Sequence, residues 1–180
     1  FFDSVGPEWD ALRKVFNDDI VRARAISRLI DPGLRVADIG TGTGILALEL
    51  ASLGVSVIGV DNSARMLEAA ESKLNDAGVS GVELRHGEAH RVPIQDDEVD
   101  GSFAHMVLHY LPSPGDAVRE MARVVKPGGT IVVVDFVRHG QEWMRQELGV
   151  VWLGFTPEEV DEWFLGAGLP APSVNLSEPG

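Results

Sequence analysis

Three glycines at alternate positions, Gly40, Gly42 and Gly44, close the apolar run Val36-Ala37-Asp38-Ile39, and Asp38 precedes the first of them by two residues. A backbone without side chains turns sharply at a strand end and brings its N–H groups against a ligand. Asp38 gives that turn a charge preference: its carboxylate opposes a phosphate and favours an ammonium or sulfonium group. A rival pattern overlaps it. Gly42-Thr43-Gly44-Ile45-Leu46-Ala47 also fits the dinucleotide fingerprint G-x-G-x-x-A, with a pyrophosphate expected at a helix N-terminus. That form, however, runs from an apolar strand straight into its first glycine. Asp61 ends the run Val57-Ile58-Gly59-Val60 and follows Gly40 by 21 positions. A carboxylate there can accept both hydrogen bonds of a ribose diol, which suits either ligand; capping a helix beside Asn62-Ser63 is its bland alternative.

These residues need strand ends to present them, and the chain supplies alternating strand and helix patterns, the order that predicts a parallel sheet covered by helices. Two helices are expected first, over 7–16 and 18–30, broken by Asp31-Pro32-Gly33. Strands are expected over 34–39, 55–60, 82–85, 99–107 and 130–136. The helices between them are expected over 44–53, from a Ser63 cap to Gly78, and over 116–125, with Lys126-Pro127-Gly128-Gly129 as a turn. Thr156-Pro157-Glu158-Glu159 reads as a capping box opening a helix to Leu165, after which only 172–177 suits a strand.

Composition bounds the function. The chain has 180 residues, 44% of them hydrophobic, which suits one globular domain with a real core. Its 28 acidic and 15 basic residues give a net charge of −13, and no Lys or Arg cluster offers a nucleic-acid surface. Without cysteine there is no disulfide, thiolate metal site or cysteine nucleophile. No apolar run reaches the roughly 20 residues that span a bilayer, and nothing resembles a signal peptide, so a cytoplasmic protein with no membrane partner is expected.

The segments after the glycine turn carry a resemblance. Residues 36–44 resemble the first motif of class I S-adenosylmethionine (SAM) dependent methyltransferases, whose E/D-x-G-x-G-x-G loop holds the amino-acid end of SAM. Residues 86–112 resemble the G-D-A…L-P-F…F-D…L-H-H/Y-L segment of the same family, with Glu88 for its usual Asp and Val99-Asp100 for Phe-Asp. Residues 123–136 resemble its R-V-L-K-P-G-G turn and fifth strand. Phe1 to Asp10 resembles the opening segment of the ubiquinone-biosynthesis-like group. The pairing of residues 139–149 with Leu153-Gly154-Phe155 resembles the methyltransferase domain fused behind ArsR-type winged-helix regulators.

This resemblance implies an α/β, Rossmann-like sandwich: a mainly parallel central sheet, helices on both faces, and an incomplete C-terminal hairpin. It implies one domain over 1–180, with a helical lid at 1–33, a SAM-binding core at 34–136 and substrate-side helices and a last strand at 137–180, as part of a longer chain. The cofactor is SAM, with S-adenosylhomocysteine as product. Its implied contacts are Asp38, Gly40, Thr41, Gly42, Gly44, Asp61, Asn62, Met66, Gly87, Glu88, Ala89 and His105. Glu88 would accept from the adenine amino group and the Ala89 N–H would meet a ring nitrogen. No metal is implied.

Methyl transfer asks mainly for alignment, worth up to roughly 7–11 kcal/mol by the effective-molarity argument. A general base is needed only for a protonated nucleophile. His105 and His109 are the catalytic candidates, with Tyr110, Asp135, His139 and Glu142 as further groups near the strand ends. Phe2 and Trp9 suit a lid over the sulfonium. Lack of cysteine argues against an arsenic acceptor, which prefers soft thiolates, so a small organic acceptor is expected. A fused winged-helix regulator is the expected partner, and a homodimer stays open. Two alternatives accompany the enzyme: a SAM-sensing module without turnover, and a nicotinamide dehydrogenase, for which 180 residues leave little room for a substrate domain.

Overall fold

The computed structural model describes residues 33–177. Its centre is a five-stranded parallel sheet in the order β3-β2-β1-β4-β5, built from β1 (Arg35–Ile39), β2 (Ser56–Asp61), β3 (Val82–His86), β4 (Val99–His105) and β5 (Val125–Val134). Helices α1 (Ile45–Ser52), α2 (Ala64–Asp76), α3 (Pro114–Val124), α4 (Trp143–Glu147) and α5 (Pro157–Gly166) complete it. The expected N-terminal helices lie outside the described residues.

The inner strands are apolar on both faces because both faces are covered. On one side Val36, Val57 and Phe103 pack with Leu46, Ala47 and Leu50 of α1. On the other, Ala37, Ile39, Ile58, Val60 and Ala104 pack with Ala117, Val118 and Met121 of α3, and Phe155 and Phe164 extend this core. A third, smaller cluster of Met144, Leu148, Val150 and Leu153 packs against Tyr110 and Phe136. Strand order reverses between β1 and β4, and ligands of open α/β sheets bind at the carboxyl ends of strands flanking such a reversal.

Several expectations shift. Lys126 to Gly129 forms no break before a separate strand: Val99 pairs with Val125 and Gly101 with Thr130, so the four residues bulge out of one continuous β5. Helix α3 starts at Pro114, where a missing N–H costs nothing. Strand β4 stops at His105, because Met106 turns into the left-handed region with φ 54°. The expected strand at 172–177 is not one. These residues run irregularly along a groove beside β5, and no strand pairs with β5 on its outer edge among the described residues. The capping box forms as the sequence predicts: Thr156 N donates to Glu159 Oε2 at 2.8 Å and Glu159 N to Thr156 Oγ1 at 3.3 Å. Among the described residues no helix is long and apolar enough to cross a membrane.

One side chain ties the 88–97 segment to α3. Arg123 donates to the Ile94 carbonyl at 2.9 Å, to the Val92 carbonyl at 3.1 Å, and to the carboxylates of Glu120 and Asp96, both at 2.7 Å. Glu120 in turn accepts from Val92 N at 2.7 Å. The Arg123 hydrogen bond, more than the Val92 N–H, holds the Glu120 carboxyl below its usual 4.5. A depressed carboxyl stabilises the fold above its unfolded pKa, and that contribution is lost as pH falls through the folded value. Arg123→Met, by removing bonds to two backbone carbonyls, should destabilise the fold by about 1–3 kcal/mol at pH 7. Denaturant melts at pH 7 and pH 3.5 should show this gap narrowing in acid; an equal gap at both would remove Glu120 from the explanation.

Candidate functional site

The glycine turn is pinned to the tip of β2. Gly40 N and Thr41 N both donate to the Val60 carbonyl, at 2.8 and 3.0 Å, and Gly42 N donates to Asp61 Oδ2 at 2.8 Å. Gly40 has φ 72° and lies so close to the chain after β4 that an added Cβ would meet Val107 Cγ2 at 2.3 Å. Gly42, at φ 56°, faces the opposite situation: a Cβ there meets nothing nearer than the Gly40 carbonyl oxygen at 4.0 Å. The first glycine is thus required by packing, and the second leaves clear the face of the turn that a ligand approaches. Gly44 stands at the N-cap of α1 against Ala70, and Lys73 of α2 donates to Thr43 Oγ1 at 3.0 Å.

Asp61 is shared between this turn and the start of α2. Its Oδ1 accepts from Ser63 N at 2.9 Å while Oδ2 holds Gly42 N. Burial pushes its carboxyl above the usual range, against the opposing pull of the backbone N–H groups of Ser63, Gly42 and Asn62. Two further lone pairs of an ionised carboxylate remain for a diol. Ser63 also caps α2, accepting from Met66 N at 3.4 Å. Beside it, Asn62 Nδ2 donates to Glu88 Oε2 at 3.2 Å, and Gly87 N donates to the Asp61 carbonyl at 3.0 Å.

These elements enclose a cavity of about 740 Å³ at the carboxyl ends of the strands, within the range of small-ligand sites. Of the residues expected to hold the cofactor, Gly40, Gly42, Asp61, Asn62, Met66, Gly87, Glu88, Ala89 and His105 line it; Asp38, Thr41 and Gly44 do not. Asp38 is 2% exposed and accepts from Thr41 Oγ1 at 2.6 Å, so its carboxylate braces the turn from beneath and acts on a ligand only through its field. The cavity is lined by the carboxylates of Asp61, Glu88 and Asp116 and by no Lys or Arg among the described residues. A pyrophosphate would find no cation here, whereas a sulfonium finds three acids.

The catalytic candidates separate. His105, at the end of β4, lines the cavity and is 6% exposed. His109 is wholly buried and does not line it. Its Nδ1 lies 2.7 Å from Asp135 Oδ1, and Asp135 is itself surrounded by backbone donors. Tyr110 lines the cavity; Asp135, His139 and Glu142 do not. Burial, then the neighbouring His109, holds the His139 ring below its ordinary pKa, and Glu142 pairs with Arg145 on the surface. Phe2 and Trp9 lie outside the described residues. Sequence reasoning did not single out Val107, Leu111, Ser113, Asp116 and Gly149 among the residues of the cavity wall; Ser113-Pro114 ahead of a helical pattern is the signal that could have pointed toward this rim.

The chain matches a family profile described as "Methyltransferase domain" over residues 37–133. It is 36% identical over 140 residues to a demethylmenaquinone methyltransferase of Clavibacter sepedonicus, covering 75% of this chain and 56% of that protein. It is 37% identical over 115 residues to a phosphatidylethanolamine N-methyltransferase of Cereibacter sphaeroides, covering 63% and 56%. The chain therefore spans little more than half the length of these relatives. Its fold is similar to that of a putative methyltransferase solved in complex with the Trm112 activator of Haloferax volcanii, with a TM-score of 0.82 and 24% identity, over 94% of this chain and 76% of that one.

Two substitutions separate packing from binding at the turn. Gly40→Ala forces a Cβ into Val107 and an L-residue into the left-handed region, which should cost about 2–4 kcal/mol of stability. Asp61→Ala should weaken SAM binding by about 1–3 kcal/mol, the worth of charge-assisted hydrogen bonds. Calorimetric titration with SAM beside thermal melts checks both; unchanged SAM affinity in Asp61→Ala would leave Asp61 as a cap alone.

Proposed function

The chain belongs to the family of methyltransferase domains, with SAM as cofactor, and on that premise we propose that it transfers a methyl group to a small, uncharged or cationic organic acceptor. The observation that carries this reading is the single cavity wall on which Gly42 and the three carboxylates of Asp61, Glu88 and Asp116 meet without a Lys or Arg among the described residues. When bound, SAM supplies an electrophilic methyl on a sulfonium. Asp61 would hold the ribose, Asn62, Glu88 and Ala89 the adenine end, and the clear face of Gly42 would let the amino-acid end lie against the turn.

The chain's remaining work is positioning. Met106, Val107, Tyr110 and Leu111 present a largely apolar wall that would limit water beside a bound acceptor. Among the described residues His105 is the one buried imidazole on the cavity wall, placed to take a proton from a hydroxyl or ammonium nucleophile; a carbon or free-amine nucleophile would need no such step. The relatives' names supply two acceptor classes for this chain, a quinone-type ring and an ethanolamine-type amine. No specific feature favours a SAM sensor without turnover.

Calorimetry comes first: SAM should bind and NAD should not, and the reverse result would overturn the cofactor. Label transfer from methyl-labelled SAM is then measured with 1,4-naphthohydroquinone, ethanolamine and benzoate. The carboxylate lining should leave benzoate unlabelled while one of the other two is methylated. Labelling of benzoate alone would sink the acceptor class. His105→Gln should lower kcat about 10²-fold or more for a protonated nucleophile, with SAM affinity little changed.

A further inference from the structure

Resting on the methyltransferase reading above, we propose that the buried Asp135–His109 pair is a positioning unit for the acceptor end of the cavity, acting through Tyr110 and the 149–152 segment without touching the acceptor.

Asp135, directly after β5, gathers donors from two directions. Its Oδ2 accepts from Leu108 N at 3.0 Å and His109 N at 3.4 Å, and its Oδ1 from Phe136 N at 2.8 Å and His109 Nδ1 at 2.7 Å. One carboxylate thus fastens the 3₁₀ turn Leu108–Tyr110 to the end of β5. An ionised carboxyl only accepts, so this geometry puts a proton on Nδ1 of His109. The same residue works from its other side: the His109 carbonyl accepts from Val151 N at 2.9 Å and Trp152 N at 3.0 Å. Trp152 Nε1 donates in turn to the Leu111 carbonyl at 2.8 Å. Residue 109 is therefore where β5, the turn and the 149–152 segment are joined.

Each joined piece reaches the cavity. Tyr110, Leu111 and Gly149 line it, while His109 does not. The His109 ring stands 4.2 Å from the Tyr110 ring and 5.0 Å from that of Phe136, so its orientation sets theirs by contact. Its Nε2 is buried without a hydrogen-bond partner among the described residues. Buried polar atoms left so are rare, and an apolar side chain would fill this site without that penalty. The bond through Nδ1 is what an apolar side chain cannot supply. His109 is wholly buried and off the cavity wall, so its proposed role is positioning, with no proton to take.

Three variants test the assignment. His109→Phe fills the volume but loses the bond to Asp135, His109→Asn keeps an N–H donor near the place of Nδ1, and Asp135→Asn leaves the ring in place but removes the carboxylate. All should bind S-adenosylhomocysteine within about threefold of the parent, since the cofactor end is untouched. His109→Phe should raise the KM of whichever of 1,4-naphthohydroquinone and ethanolamine is methylated by about tenfold or more, with kcat changed less than about threefold, and His109→Asn should recover most of it. A second readout needs no acceptor. Tyr110 is the chain's one tyrosine, so its ring resonances in a tyrosine-labelled sample, with the Gly149 amide, should move in Asp135→Asn. Unchanged KM in His109→Phe together with unmoved Tyr110 and Gly149 signals would overturn the proposal. If the parent protein binds no S-adenosylhomocysteine, the methyltransferase reading fails, and the Tyr110 and Gly149 signals still decide the positioning.

Discussion

The hydrogen bond from Gly42 N to Asp61 Oδ2 is the contact on which the rest of the site depends. Parallel strands end with their last carbonyls and the next amides unpaired, and the chain must cross from β1 to α1 without leaving those groups buried and bare. Here the tip of β2 supplies both partners: the Val60 carbonyl takes two amides of the turn and the Asp61 carboxylate takes a third. The same carboxylate takes the Ser63 amide and so fixes the start of α2. The carboxylate proposed to hold a ribose is therefore also the clamp that shapes the glycine turn. Its burial, which raises its pKa, is the cost of standing in both roles.

From that clamp the site is built outward by two braces of different kinds. On the side of the segment after β3 the brace is ionic and partly exposed: Arg123 and Glu120 of α3 hold the backbone of the segment bearing Glu88 and Ala89. On the opposite side the brace is buried: Asp135 and His109 hold the turn bearing Tyr110. Exposed ion pairs tolerate small movements because water replaces lost contacts, whereas a buried carboxylate with four donors does not.

The cavity's charge follows from the strand order. Reversal between β1 and β4 opens a crevice there, and the residues that rim it come from the ends of β2 and β4 and from the segments after β3 and before α3. Asp61 from the tip of β2, Glu88 from the segment after β3 and Asp116 from the first turn of α3 arrive from far apart in the chain, and their sum disfavours an anionic ligand. No single motif carries that preference.

The sequence determined the alternation of strands and helices, the turn at Gly40 to Gly44, the acid at the tip of β2, the Ser63 cap and the capping box at Thr156 and Glu159. All of these are local, because spacing and residue type alone decide whether a backbone turns, extends or caps. Tertiary structure decided what those residues face. Asp38 reads as a ligand-facing acid until β1 is placed in the middle of the sheet and buries it under Thr41. His109 and His105 look equivalent along the chain, yet Met106 turns the backbone through a left-handed conformation between them and sends one to the cavity and the other into the core. Residues 172–177 have strand composition but no pairing partner, and a strand exists only where a neighbour takes its hydrogen bonds. The direction of a side chain and the pairing of a strand depend on atoms far away in sequence, so only the folded chain fixes them.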